Sequence, residues 1–445
     1  MRSFRLFTGH AAGWGTGIGG TIAMVALAAA AAIAWYEAPA GAPPRAAVIE
    51  VFAVTYIVIA VGRLPGFRLD RAGAALVGAS LMLALDGLDI DEVSRAIDFD
   101  TVALLLGVMI VVANLRLSGF FRLITGWVVA RARHPLQLLA AVILTCGAFS
   151  AFLLNDTICL VMTPLVLDVA LRLRRNPVPY LLAVAMAANI GSAATITGNP
   201  QNILIGSFSQ VPYAAFAAQL TPVAAAGLVL AILLIALCYP SEFRGRQPFG
   251  AIPPRSPHLH VPLAVKSILV VLLMMAAFFA GQPPAKVALI AGGFLLLTRI
   301  VRSERIYREI DWPLLLMFAG LFVVVAGFEK AILTPDRVAA ISRFGLDRDS
   351  MLSLVTAILS NLVSNVPAVL VIKPFIGETG HPQHAWIVVA MASTFAGNLT
   401  VLGSVANLIV VQLARADGIT IGFWEYFRVG APLTLLTILV GLWWL

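Results

Sequence analysis

The sequence predicts an all-α polytopic membrane protein, with about 11 transmembrane helices plus two re-entrant hairpins in two inverted repeats. Three observations carry that prediction. The composition is 60% hydrophobic and only 12% charged, with a mean hydropathy of +0.95; a soluble domain has roughly a quarter charged residues. The apolar stretches alternate with short loops, and those loops hold most of the arginines, the usual distribution around membrane spans. Finally, the second half of the chain echoes the first. Leu154-Asn155-Asp156-Thr157 aligns with Ser364-Asn365-Val366-Pro367, and nine residues after each Asn stands a proline, Pro164 and Pro374. Thr195, Gly198 and Asn202 match Thr400, Gly403 and Asn407, Asp100 matches Asp311, and Pro222 matches Pro432, all in the same order.

Taken in order, residues 1–45 hold one span, 17–36, outside the repeats. Its basic start at Arg2 and Arg5 also fits a signal peptide, although the apolar run is long for one. The first repeat, 46–240, is predicted to hold spans at 48–63, 72–88, 100–118, 180–205 and 217–239, with a hairpin at 136–171. A proline-rich linker, 241–260, follows. The second repeat, 261–445, then holds spans at 262–281, 285–301, 311–329, 385–412 and 423–445, with a hairpin at 350–376.

The hairpins follow from length and charge. The apolar runs 139–154 and 158–171 are shorter than the roughly 20 residues a crossing takes. Arginines flank the pair on both sides, Arg131 and Arg133 before it and Arg172, Arg174 and Arg175 after it, so both ends face the same side. Spans 180–205 and 385–412 are interrupted by Thr195-Ile196-Thr197-Gly198-Asn199-Pro200 and Thr400-Val401-Leu402-Gly403-Ser404, which read as unwound centres of broken helices. A cytoplasmic N-terminus in the plasma (inner) membrane places most loop arginines inside. Five crossings per repeat is an odd number, so the second repeat enters from the opposite side.

Two tips reaching mid-membrane from opposite faces converge on the two breaks. The candidate substrate- or ion-binding residues are therefore Asn155, Asp156, Thr157, Thr197, Gly198, Asn199 and Asn202 from the first repeat. Ser364, Asn365, Asn398, Thr400, Gly403, Ser404 and Asn407 come from the second. Helix N-termini beside a break present N–H groups to an anion or polar solute, and unwound carbonyls suit a small cation. Irregular backbone and a carboxylate at that depth mark a site by default. Asp156 is the one carboxylate predicted deep in the bilayer, and it reads either as the group that binds the coupling proton or cation, or as a helix cap. Val366 stands in its place in the other repeat, so capping does not require the acid. Asn189 reads equally as a site residue or as a helix–helix hydrogen bond. Lys373 either attracts an anion or snorkels to the interface. Asp100 and Asp311 are explained as helix-start acids, and Gly191 and Gly292-Gly293 as packing surfaces.

Other classes are disfavoured. The net charge of +8 lies in short loops and is no nucleic-acid footprint. Cys146, Cys159 and Cys238 lie in apolar segments, and the six histidines lie in loops, so no metal or haem cofactor is expected. No nucleophile–base pair is evident, which argues against an enzyme. A channel lined by the same hairpins is a further reading.

At these residues the chain resembles the ArsB/NhaD branch of the ion transporter superfamily, with the sodium-coupled citrate and dicarboxylate carriers as more distant relatives. The resemblance covers about 46–445. It rests on the Asn155-Asp156 tip with Thr163-Pro164, the second tip Asn365-Val366-Pro367-Ala368-Val369-Leu370-Val371, the break Gly198-Asn199-Pro200-Gln201-Asn202, its degenerate partner Gly403-Ser404-Val405-Ala406-Asn407, and the ending Trp424-Glu425-Tyr426-Phe427-Arg428-Val429-Gly430. It implies a secondary active transporter of a small anion or oxyacid, of the arsenite or antimonite kind. Transport would be coupled to H+ and of the elevator type; the alternatives are a sodium/proton antiporter and a carrier that takes citrate or dicarboxylate with Na+. It also implies a possible homodimer and, for an arsenite exporter, an ATPase subunit. Neither tip is a full Ser-Asn-Thr, which departs from the sodium-coupled dicarboxylate pattern.

Overall fold

The computed structural model describes residues 45–62, 69–85, 87–244, 259–297, 300–333 and 345–445. The expected span at 17–36, most of the linker and several of the loop arginines lie outside the described residues. Within them, all regular structure is helical.

The chain opens with α1 (Arg45–Val61), α2 (Arg71–Ala84) and the short α3 (Ile90–Ala96). Asp70 starts α2 by accepting from the Gly73 N–H at 2.8 Å, and Asp98 starts α4 (Phe99–Ser118) by accepting from Asp100 and Thr101. Asp98 is thus the cap of α4, and Asp100 stands in its first turn, as expected of a helix-start acid. Next come α5 (Phe120–Arg131), the hairpin α6 (Pro135–Phe152) and α7 (Asn155–Arg172), and the broken helix α8 (Pro177–Ser192) and α9 (Pro200–Ser209). The long α10 (Tyr213–Cys238) and the short α11 (Pro240–Phe243) follow.

The element order then recurs: α12 (Val261–Phe279), α13 (Pro284–Leu296), α14 (Ser303–Tyr307) and α15 (Trp312–Ile332) lead to the hairpin α16 (Asp349–Val363) and α17 (Asn365–Ile376). The broken helix α18 (Pro382–Ala396) and α19 (Val405–Ala416) comes next, and α20 (Phe423–Trp444) ends the chain. Prolines fall inside corresponding helices, Pro164 in α7 and Pro374 in α17, Pro222 in α10 and Pro432 in α20. Among the described residues, six helices are long and apolar enough to cross a membrane: α4, α6, α10, α12, α15 and α20.

Helix α5 was not expected, since a 12-residue segment falls below the length of a span. It begins after Gly119, which ends α4 in the left-handed conformation at φ 84°. Its exposed Trp127 carries the Arg131 guanidinium 3.7 Å from the ring centroid, a pairing suited to an interface.

The molecule divides into two compact units. One holds α1–α3 with residues 316–333. There α2 lies against α15 so closely that a Cβ on Gly320 would strike the Ala75 backbone, and Phe52 stacks on Tyr56 and Phe328. The other unit holds residues 97–315 and 334–445, with both hairpins and both broken helices. Helix α8 is buried along its whole length between α6, α7, α10 and α19. Its approach to α6 is possible because Gly191 meets the Gly147 backbone without side chains, as small residues allow in membrane helices. Gly292 likewise faces Gly107 across α13 and α4, whereas Gly293 meets no neighbour.

The two hairpins cross over to the opposite half. Helix α7 packs on α19, and α17 packs on α9. This exchange brings the tips to the breaks.

Candidate functional site

Each break is held by one asparagine. The Asn202 amide donates to the Ser192 and Thr195 carbonyls, both at 3.1 Å. The Asn407 amide donates to the Gly397 and Thr400 carbonyls, at 2.7 and 3.0 Å. These are the carbonyls that the unwound turns leave without helical partners. Asn199 and Ser404 then cap the helices that restart, accepting from Asn202 N and Ala406 N. Pro200 at the first position of α9 removes an N–H that would otherwise be orphaned.

The two breaks are also tied across the repeat. Asn189 in α8 donates to the side-chain oxygens of Asn398 and Asn407, both at 2.9 Å. Its own oxygen accepts from Asn155 and Ser404, both at 3.1 Å. Asn189 therefore makes all four hydrogen bonds an amide can make, and is the hub between the first tip and the second break. Its counterpart Thr394 accepts from Asn199 and Gln201, at 3.2 and 3.3 Å, and donates to Asn202 at 3.4 Å. Residue 189 reaches 407 and residue 394 reaches 202, the reciprocity of a two-fold contact.

At the first tip the chain leaves α6 through extended Leu153, and α7 begins at Asn155 without a side-chain cap. Asn155 is buried, and its Oδ1 has no protein partner. An acceptor left bare in a buried polar cluster calls for an explanation, and here a bound donor or cation supplies one. At the second tip the turn is Ser364 alone, at φ 78° and ψ 160°. Asn365 accepts from Ser360 at 2.5 Å, and Ser360 also donates to the Ser393 carbonyl. Asn361 donates to the Ala396 carbonyl.

The structure thus gathers Asn155, Asn398, Ser404 and Asn407 round Asn189, and Asn199 with Asn202 round Thr394. It separates other expected members. Thr197 bonds the Tyr213 hydroxyl at 2.8 Å and, with Thr195, meets the Ala151 and Phe152 carbonyls at the end of α6. It closes that helix end. Gly198 and Gly403 shape the breaks, Gly198 against the Ser192 backbone and Gly403 against Asn361 and Gly397. Thr400 contacts Asn361 at 3.4 Å.

Asp156 and Thr157 belong to a cavity at the first tip. They line this space of about 80 Å³ with Met109, Ala113 and Arg116 of α4 and with Glu309, Asp311 and Leu314. Arg116 Nη1 and Glu309 Oε2 are 2.6 Å apart at its edge. Asp311 accepts from Leu314 N, and the atoms crowded round its carboxyl raise its pKa above the ordinary 3.8. Asp311 thus stands at the start of α15, as the helix-start reading expects, and also lines the cavity. Lys373, also weighed earlier, stands 4.9 Å from the Phe208 ring centroid.

Ser192, Gln201, Ser360, Asn361, Ser393 and Thr394 were missed, as was the Arg116–Glu309 pair. A usable signal existed for some: Asn189 and Ser192, three apart, share one face of an otherwise apolar helix. Arg116 was read only as a topological charge.

The family model described as "Citrate transporter" matches residues 54–396. A "46 kDa membrane protein" of Mycobacterium leprae is 31% identical over 421 residues, covering 88% of this chain and 95% of its own. The "Silicon efflux transporter LSI3" of Oryza sativa subsp. japonica is 28% identical over 88% of this chain and 95% of its own. The crystal structure of the Alcanivorax borkumensis YdaH transporter superposes with a TM-score of 0.57 at 13% identity, over 87% of this chain and 97% of that one, a likeness of fold.

Proposed function

Starting from the fact that this chain belongs to the citrate transporter family and is a membrane-embedded secondary transporter rather than an enzyme, we propose that it moves a small hydroxylated oxyacid, of the arsenite or silicic acid kind, in exchange for protons. The observation that carries the reading is the bare Oδ1 of Asn155 inside a buried cluster of amides and hydroxyls. Such a cluster matches a neutral solute rich in O–H donors. The relative named as a silicon efflux transporter supports this choice of class.

Citrate fits less well. A multiply charged anion taken out of water needs cationic partners, and the members of the asparagine cluster are all neutral. Asp156, on the adjacent cavity, supplies the carboxyl that exchanges the proton. The hairpins, broken helices and two-fold contacts suit an inverted-repeat carrier working by an elevator-type movement, in the plasma membrane with the N-terminus cytoplasmic.

The test is accumulation in proteoliposomes under an imposed pH or sodium gradient, with arsenite, silicic acid and citrate as solutes. The expected result is pH-driven movement of the oxyacids, abolished in Asp156→Asn, which keeps the shape but carries no exchangeable proton. Sodium-driven citrate uptake with no response to pH would overturn the reading.

A further inference from the structure

The cavity beside Asp156 is not needed to bind the oxyacid, and its lining suggests a different task. Met109, Ala113 and Arg116 lie on one face of α4 and span seven residues, so the cavity runs about 10 Å along that helix. Asp156, Thr157 and Leu160 form the facing wall on the first turn and a half of α7. Arg116 belongs to the last turn of α4, and Glu309 to the turn between α14 and α15. Their side chains keep 33% and 25% of their surface exposed, so the pair has one side to solvent and one to the cavity. Three carboxyls, Asp156, Glu309 and Asp311, face one guanidinium in this space. The excess of carboxyls over the single guanidinium concentrates cations, and these polar groups, set among apolar walls, leave room for water.

We propose that this cavity is a cation vestibule serving Asp156, with Asp311 as its second carboxylate and the Arg116–Glu309 pair as its closure. The oxyacid site on the asparagines and the ion route on Asp156 are then two distinct spaces on either side of the α7 tip. The inference deepens the proton-coupled reading by naming how the coupling cation arrives. It concerns access, so it can be tested without measuring transport. With the pair intact the mouth is narrow; with either partner removed, the remaining side chain has no counter-charge holding it across the opening.

The experiment uses the full chain with Cys146, Cys159 and Cys238 replaced by Ala and Thr157→Cys introduced. A second version carries Ala113→Cys on the opposite wall, so the result does not depend on one tip variant. Each is labelled in oriented membrane vesicles with a cationic and an anionic methanethiosulfonate of similar size. Glu309→Gln and Arg116→Gln should each raise the cationic labelling rate about tenfold or more, from one face of the membrane. The exchanged pair Arg116→Glu with Glu309→Arg should return it towards the starting rate. The cationic reagent should outrun the anionic one, and Asp311→Asn should narrow that ratio. Labelling rates unchanged by breaking the pair, or faster with the anionic reagent, would overturn the vestibule. Failure of pH-driven transport in liposomes, with these rates as expected, would overturn the coupling reading alone.

Discussion

The two halves around the site are alike where they hold the backbone and unlike where they can do chemistry. Asn202 and Asn407 staple their breaks with the same pair of bonds to carbonyls at matching positions. Ser150 and Ser360 each tie a hairpin to a carbonyl of the following helix, Ala188 and Ser393. Beside these shared ties, Asp156 faces Val366 in the alignment, Asn189 faces Thr394, and Asn199-Pro200-Gln201 faces Ser404-Val405-Ala406. The turns differ too: two extended residues at the first tip, one residue with positive φ at the second. The symmetric residues keep unwound backbone satisfied at depth, a demand both halves share. The asymmetric ones are those that the proposed function assigns to a solute and a coupling ion.

The sharpest way to break this comparison is to move the acid. Val366→Asp in an Asp156→Asn background should leave pH-driven transport abolished, because Val366 is buried, whereas Asp156 lines the cavity of Arg116, Glu309 and Asp311. Restored coupling, measured in proteoliposomes, would make the tips interchangeable. The next largest effect concerns the staples. Asn202→Ala and Asn407→Ala should destabilise by similar amounts, about 1–3 kcal/mol each, since each removes the side-chain donor to two break carbonyls, one of which keeps only a 3₁₀ backbone partner; thermal unfolding in detergent reads this. A loss confined to one half would mean the staples are not equivalent.

The glycines sharpen the comparison. A Cβ on Gly198 would collide with the Ser192 backbone, whereas on Gly403 it meets the Asn361 side chain at 2.8 Å and the Gly397 carbonyl at 3.0 Å. Gly198→Ala should therefore cost about 3 kcal/mol and Gly403→Ala about 1 kcal/mol, because a side chain yields where backbone does not. Ser364→Gly should go the other way. Its backbone region is essentially reserved for glycine and costs of order 1–3 kcal/mol, so the variant should melt higher. If the serine is held there for the solute, transport should fall at the same time.

The smallest effect is electrostatic. A carboxyl whose folded pKa is raised adds stability below its unfolded pKa and loses that contribution as pH rises through the folded value. Asp311→Asn should accordingly match or slightly exceed the wild type in melting temperature near pH 8. That advantage should shrink as the pH falls towards 3.8, the ordinary value for the acid. A pH-independent difference would show that the carboxyl is not desolvated.

Much of the architecture was legible in the sequence, because the bilayer reduces folding choices to length, hydropathy and loop charge. The paired short runs became α6–α7 and α16–α17, and the Gly-Asn-Pro interruption became a 3₁₀ turn between α8 and α9. The echo between halves also pointed to Asn155, Asn199, Asn202, Asn398, Ser404 and Asn407, which meet at the breaks. Which way each side chain turns was not legible. Asn155 and Asp156 are neighbours in sequence, but successive helical residues point about 100° apart. One therefore meets Asn189, and the other meets the cavity of Arg116, Glu309 and Asp311. Asn189 bonds Asn407 across 218 positions, and Arg116 bonds Glu309 across 193; no local pattern announces such a partner. Sequence alone determined the class, the paired hairpins, the broken helices and several of the polar places, since each follows from residues within a turn or two. The tertiary crossing of α7 onto α19 and α17 onto α9 decided which polar groups are spent on backbone and which are left for a ligand.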